Sequence, residues 1–171
     1  IKILKEELAD DTESRARFRQ EARALAKLRS PNTVRVLDEG ETDHGREFIV
    51  MEYIDGRLLS AELPGGTSFN LPRAIGVALD ICNSLEEAHG ISVFHRDLQP
   101  HNIMIVNCGT PRETAKVIDF GLAKVLDSSI PPPDSFSRQA HGTIGYASPE
   151  QLRGDAPTQA TDVYSVGAIL Y

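Results

Sequence analysis

The chain has 171 residues, 40% of them hydrophobic, with 13 glycines, which fits a globular fold and excludes a disordered one. Its 18 Lys and Arg against 25 Asp and Glu give a net charge of −7, with no general attraction to nucleic acid or an anionic membrane. Its 2 cysteines, Cys82 and Cys108, exclude a disulfide framework or a Cys-rich zinc site, and no run of roughly 18 apolar residues offers a membrane segment. One soluble, cytoplasmic domain with a real core is expected.

Ile1–Lys5 reads as a short strand. From Asp11 to Arg29 the apolar positions Phe18, Ala22, Leu25, Ala26 and Leu28 recur at helical spacing. Asp10, Asp11 and Thr12 supply start signals and Ser30-Pro31-Asn32 a stop. Thr33–Leu37 and Glu47–Tyr53, rich in β-branched and aromatic residues, predict an antiparallel hairpin across the polar stretch Glu39–Arg46. After a loop at Pro64–Ser68, Pro72 opens a long helix whose apolar positions are Ile75, Leu79, Cys82 and Leu85, with Gly90 as its stop. Ile103–Val106 and Ala115–Ile118 are short strands. Asp127–Ala140, with three consecutive prolines, is a long irregular loop. Asp162–Tyr171 is an apolar helical pattern. The chain opens inside a strand and closes inside a helix, so it reads as a piece of a larger domain.

Three segments carry chemistry. His95-Arg96-Asp97-Leu98-Gln99-Pro100-His101-Asn102 lies between the long helix and a strand. Seventeen residues after Asn102 a strand ends in Asp119-Phe120-Gly121. Gly142-Thr143-Ile144-Gly145-Tyr146-Ala147-Ser148-Pro149-Glu150 follows the Ser/Pro loop. Each alone could be a turn, since Asp, Asn and Gly favour turns. Together, in this order, they leave little room for accident.

On these residues the chain resembles the eukaryotic-type (Hanks-type) protein kinase family, and within it the bacterial Ser/Thr kinases. The resemblance implies a partial α+β, two-lobed fold. Residues 1–54 would form part of the small lobe and the hinge, without its first strands. Residues 55–171 would form the large-lobe part, without its closing helices. The implied reaction moves the ATP γ-phosphate to Ser or Thr hydroxyls of proteins, with Mg. Such a transfer needs positioning and neutralised charge more than covalent help.

The resemblance also implies roles. Asp97 would be the base, and Asn102 and Asp119 the hard oxygen ligands of Mg. Lys2 would hold the ATP phosphates and Glu21, nineteen residues later, would pair with it. Met51, the backbone of Glu52 and Ile54, and Met104 would surround the adenine. Thr143 would bond towards Asp97 and shape the substrate pocket. Ser135 and Ser137 would be activating phosphorylation positions, with Arg96, Lys124 and Arg17 facing the phosphate. His95 would be a packed core residue, stacked with Phe120, Leu25 and Val36 in a column between lobes. Asp162 would brace the catalytic-loop backbone. His44, His89, His101 and His141 show no metal-ligand spacing and read as surface or loop residues.

The chain departs from the family at three points. Gln99 stands where a lysine reaches the γ-phosphate, removing a charge-assisted contact and predicting slow chemistry. Ser148 replaces an alanine. No GxGxxG loop occurs. Gln99 favours one alternative, a pseudokinase or scaffold module. A small-molecule kinase of the aminoglycoside type shares the His-x-Asp loop but is disfavoured by Gly142–Glu150. Residues 1–171 alone would bind ATP weakly and transfer phosphate negligibly, with Glu150 left as a possible buried, unpaired charge.

Overall fold

The computed structural model describes residues 1–4, 11–64, 67–120 and 145–171. The expected loop at 127–140 lies outside them. Helix α1 (Thr12–Leu25) starts where the cap signals place it: the Asp11 carboxylate accepts from the amides of Glu13 and Ser14 at 3.2 and 3.1 Å. Phe18, Ala22 and Leu25 bury its inner face. The helix ends before the expected Arg29 because Ala26 caps it, and Leu28 enters the core from the turn beyond. That turn is anchored by the Glu87 carboxylate, which accepts from the amides of Arg29 and Ser30, both at 2.7 Å.

Strands β1 (Lys2–Ile3), β2 (Val36–Glu41) and β3 (Glu47–Met51) form an antiparallel sheet in the order β1-β3-β2, with Lys2 opposite Ile49. The hairpin is the expected one, but its first strand is displaced along the chain. Thr33 bridges Val117 in parallel fashion, and Val34 N–H donates to the Val117 carbonyl at 2.9 Å. The residues read as the strand start are thus drawn to a second sheet, and β2 continues into the polar stretch. Inside this sheet's packing on α1, the buried Glu47 takes Arg15 at 3.0 Å and Arg19 at 2.6 Å.

The second sheet joins β4 (Gly56–Leu58), β5 (Ile103–Val106) and β6 (Thr114–Val117), again antiparallel. Strand β4 was not expected, since three residues are too few for a period to show. Gly56 is required there: a Cβ would stand 2.6 Å from the Ile105 carbonyl oxygen. A short helix α2 (Leu59–Glu62) follows, then α3 (Leu71–Gly90), capped by the Asn70 side chain on Arg73 N–H at 3.0 Å. The expected inner face of α3 holds at Leu85, which is buried, and is corrected at the other three positions. Ile75 and Leu79 are 48% and 59% exposed and Cys82 is exposed, whereas Val77, Ile81, Ser84, Leu85 and Ala88 are buried. The helix carries two apolar stripes, and periodicity alone does not say which one β6 covers.

Beyond a 3-10 turn at Pro100–Asn102, the chain ends in α4 (Pro149–Arg153) and α5 (Gln159–Leu170), the latter packed on α3. The α+β class is as expected. One contiguous core runs from Leu4, Phe18 and Ile49 in the first sheet's layer to Ile81, Ile103, Ile105 and Val117 in the second. Ile105 is fully buried at the centre of the second sheet, so Ile105→Ala should cost ~2–5 kcal/mol. Urea unfolding of the protein with and without the substitution measures this, and a loss below ~1 kcal/mol would contradict the core described.

Candidate active site

The loop from the end of α3 to β5 is built on its backbone. The fully buried Asp162 of α5 accepts from His95 N–H and Arg96 N–H, both at 2.9 Å, through separate carboxylate oxygens. His89, on the last turn of α3, reaches the same carboxylate through Nε2 at 2.8 Å. The bracing role expected of Asp162 is therefore visible. His89 is corrected: it is a half-buried partner of Asp162 and not a surface residue, while His44 and His101 are exposed as expected.

His95 is fully buried and spans two elements. Its Nε2 lies 3.0 Å from the Ile118 carbonyl and its Nδ1 3.3 Å from Asp97 N–H. Only the neutral ring with its proton on Nε2 makes both bonds. Burial pulls its pKa below the ordinary histidine value in the same sense, against the opposing Ile118 bond. The ring packs on Phe120 at 4.9 Å between centroids; Leu25 and Phe120 are buried and Val36 packs against the same core.

Asp97 stands in this frame with two amide side chains beside it. Gln99 Nε2 donates to Asp97 Oδ2 at 3.1 Å. Asn102 Nδ2 donates to the Asp97 carbonyl at 2.8 Å. With its nitrogen so used, the Asn102 Oδ1 is the atom of this side chain that could serve a hard cation. Asp119 follows β6 and has φ +59, a left-handed conformation that is strained for a residue with a side chain.

Lys2 comes to this point from the other sheet: its Nζ is 3.2 Å from Asp119 Oδ1. Glu21, expected to pair with Lys2, instead faces Arg96 at 3.4 Å. The reason is in the placement, since Lys2 is taken by Asp119 and α1 holds Glu21 over the loop. Burial pushes the Glu21 carboxyl up to about 7, although Arg96 and then Lys2 oppose the shift. Arg96, Arg17 and Glu21 line one cavity of about 610 Å³ with Phe120 and Phe94. Arg17 also pairs with Glu13. Of the expected phosphate-facing and activation residues, Lys124, Ser135 and Ser137 lie outside the described residues, as does Thr143, expected to shape the substrate pocket.

The passage from β3 to β4 begins at Met51, which packs against the core, and runs through Glu52 and Ile54. Glu52 N–H donates to the Arg35 carbonyl at 2.9 Å, and its carboxylate meets Lys116 of β6 at 2.7 Å. Burial works against ionisation of that carboxylate, but the Lys116 and Arg35 bonds outweigh it and hold it below the ordinary range. Met104 on β5 lies beside Gly56. Glu150 is corrected. It is not a buried, unpaired charge: Thr161 Oγ1 donates to it at 2.8 Å, and bonds from its own backbone N–H and from Thr161 keep its pKa low. Sequence reasoning missed two residues of this frame: His89 and Lys116. The first is four residues before Val93 and six before His95, on the inner face of a helix whose inner face was misread.

A solved structure of the same architecture is the PknI kinase domain of Mycobacterium tuberculosis. It superposes with a TM-score of 0.73 at 24% identity, over 99% of this chain and 60% of that one. The partial kinase fold is thereby shown. The family model described as "Protein kinase domain" matches residues 1–171, and the chain belongs to that family. Among its relatives are the serine/threonine-protein kinase pkn3 of Myxococcus xanthus, 39% identical over 173 residues, and PrkC of Bacillus subtilis, 36% identical over 171 residues. PknB of Mycobacterium tuberculosis is 39% identical over 176 residues. All three matches take in 100% of this chain but only 31%, 25% and 27% of the relatives. The chain thus spans a quarter to a third of their length. Among the described residues, no helix is long and apolar enough to cross a membrane.

The raised Glu21 carboxyl sets a pH dependence with a definite sign. Its folded pKa lies above the unfolded value of 4.5, so its contribution is fully present below 4.5 and is lost as pH rises through about 7. Glu21→Gln should therefore match the wild type in stability near pH 4.5. Above pH 7 it should be more stable, by at most ~3 kcal/mol. Urea titrations at the two pH values compare them, and a variant less stable than wild type at pH 8 would refute the burial argument.

Proposed function

We propose that the protein carrying this chain is a Ser/Thr protein kinase, transferring the ATP γ-phosphate to hydroxyls of protein substrates. The reading is supported by two pairs, Lys2 with Asp119 and Asn102 with Asp97, and by the Ile118 N–H bond to the Asn102 carbonyl at 2.9 Å, which sets their loops side by side. The boundary between the sheets falls between β3 and β4, which supports a small-lobe part in 1–54 and a large-lobe part in 55–171.

The residues present fit Mg and ATP. Asn102 directs its nitrogen to a carbonyl, leaving an oxygen donor, and Asp119 supplies a carboxylate. These two would hold Mg, and the metal, when bound, neutralises charge on the phosphates. Lys2 is the cation for the phosphates. Met51 and Met104 would face the adenine, with the backbone of Glu52 and Ile54 at its polar edge. Asp97 accepts the proton of the substrate hydroxyl as its oxygen forms the bond to phosphorus and ADP leaves. Thr143 would shape the approach of that hydroxyl.

The scaffold alternative rests on Gln99. Its amide bonds to Asp97, so it takes the lysine's place beside the base without bringing charge to the transferring group. This supports slow transfer and not its absence. In the full-length protein, Asp97→Asn should abolish turnover and spare nucleotide binding, while Gln99→Lys should raise kcat at nearly constant KM for ATP. A Gln99→Lys enzyme no faster than wild type would mean that another cation already fills the role. Activation is proposed through phosphorylation of Ser135 or Ser137, read by Arg96 and Arg17 in their shared cavity, with Lys124 as a further cation. The double Ser→Ala protein, preincubated with ATP, should be less active than wild type, and equal activity would discard the switch.

A further inference from the structure

Gln151 lies in α4, outside every role assigned so far, and its side-chain amide is engaged at both ends. Nε2 donates to the Arg96 carbonyl at 2.6 Å, and Oε1 accepts from Ser148 N–H at 3.1 Å. Since only the nitrogen donates and only the oxygen accepts, the two bonds fix which way the amide stands.

The Arg96 carbonyl shares a planar peptide unit with the Asp97 N–H. That N–H points to His95 Nδ1 at 3.3 Å, so the unit is bonded at both edges. Arg96 N–H is taken by Asp162 at 2.9 Å. Such holding is needed, because Arg96 has φ +66, a left-handed conformation that is unfavourable for a residue with a side chain. Asp97 leaves the chain directly from this plane, and a rotation of the plane swings its carboxylate.

The other end of the amide reaches the segment that follows Thr143. Ser148 is buried; Ser165 of α5 donates to the Tyr146 carbonyl at 2.8 Å, and Thr161 holds Glu150. Helix α5 thus fixes this segment through Ser165 and Thr161, and the catalytic loop through Asp162. Gln151 bonds to both directly.

We infer that Gln151 is a positioning residue for Asp97: it sets the Arg96–Asp97 peptide plane and ties that plane to the segment at Tyr146–Glu150. The inference rests on the kinase reading above. Two substitutions separate positioning from capping. Q151E keeps an acceptor for Ser148 N–H but turns a carboxylate oxygen towards the Arg96 carbonyl. Q151M keeps the bulk and removes both bonds. In the full-length protein, with a Ser-containing peptide and Mg·ATP, both should lose roughly ten- to a hundredfold in kcat. KM for ATP should not change, because no nucleotide contact is altered. Thermal unfolding run beside the kinetics gives the folded fraction. Wild-type kcat in either variant overturns the inference, as does a loss that merely tracks the folded fraction. Absence of turnover in the wild type overturns the kinase reading itself, and this inference with it.

Discussion

The arrangement of the site depends on one buried carboxylate. Asp162 is without solvent contact, and an unpaired ionised carboxylate there would cost several kcal/mol. Three donors satisfy it: two consecutive backbone amides, of His95 and Arg96, and the His89 ring. Because two of the three are main-chain groups of the same turn, satisfying the charge dictates the path of that turn. The helices α3 and α5 bring His89 and Asp162 together, and the loop between α3 and β5 must pass where its amides are required. Charge-assisted bonds to backbone amides are among the stronger hydrogen bonds available, so the turn is held firmly.

That firmness is used against strain. Arg96 and Asp119 both adopt left-handed backbone, at φ +66 and +59, and neither is glycine. Each is held by the same ring, since His95 bonds Asp97 N–H on one side and the Ile118 carbonyl on the other. The neutral imidazole acts as a rigid spacer between the two strained positions. A protonated ring would have no acceptor for Asp97 N–H, and the burial that depresses its pKa keeps it neutral. The strain at the two positions and the burial of His95 are therefore linked features of one design.

Much of this was legible in the sequence, for reasons that separate from residue to residue. The α1 cap at Asp11, the β5 strand and the loop with Asp97 and Asn102 were readable because local signals and tertiary outcome agree. The inner face of α3 was not, because Leu71, Ile75 and Leu79 make a second apolar stripe as regular as the buried one. Misreading that face hid His89, which belongs with the buried stripe. Strand β4 exists only through its pairing with β5, and three residues carry no period. Gln151 was invisible for another reason: nothing local distinguishes a glutamine that bonds 55 residues back along the chain from one exposed on a helix.

The pairing of charges was the least readable part, and its physics explains why. Lys2 and Glu21 were expected as partners, yet Lys2 meets Asp119 and Glu21 meets Arg96. The side chains in both pairs are a quarter or more exposed, so each pair is worth no more than ~1 kcal/mol. Burial raises the Glu21 carboxyl to about 7, which disfavours its ionised form and weakens its hold on Arg96 further. No spacing rule fixes a choice between partners that differ so little in energy. The backbone of the site, by contrast, is set by Asp162, His95 and Gln151 through buried or half-buried bonds to main-chain groups. Rigid geometry thus lies beneath the loop, and exchangeable charge lies at its rim. That division suits a site that binds and releases a multiply charged nucleotide, as proposed for this one: Asp97 is aimed by bonds to its main chain, while the Lys2–Asp119 and Glu21–Arg96 pairs are weak enough to be displaced.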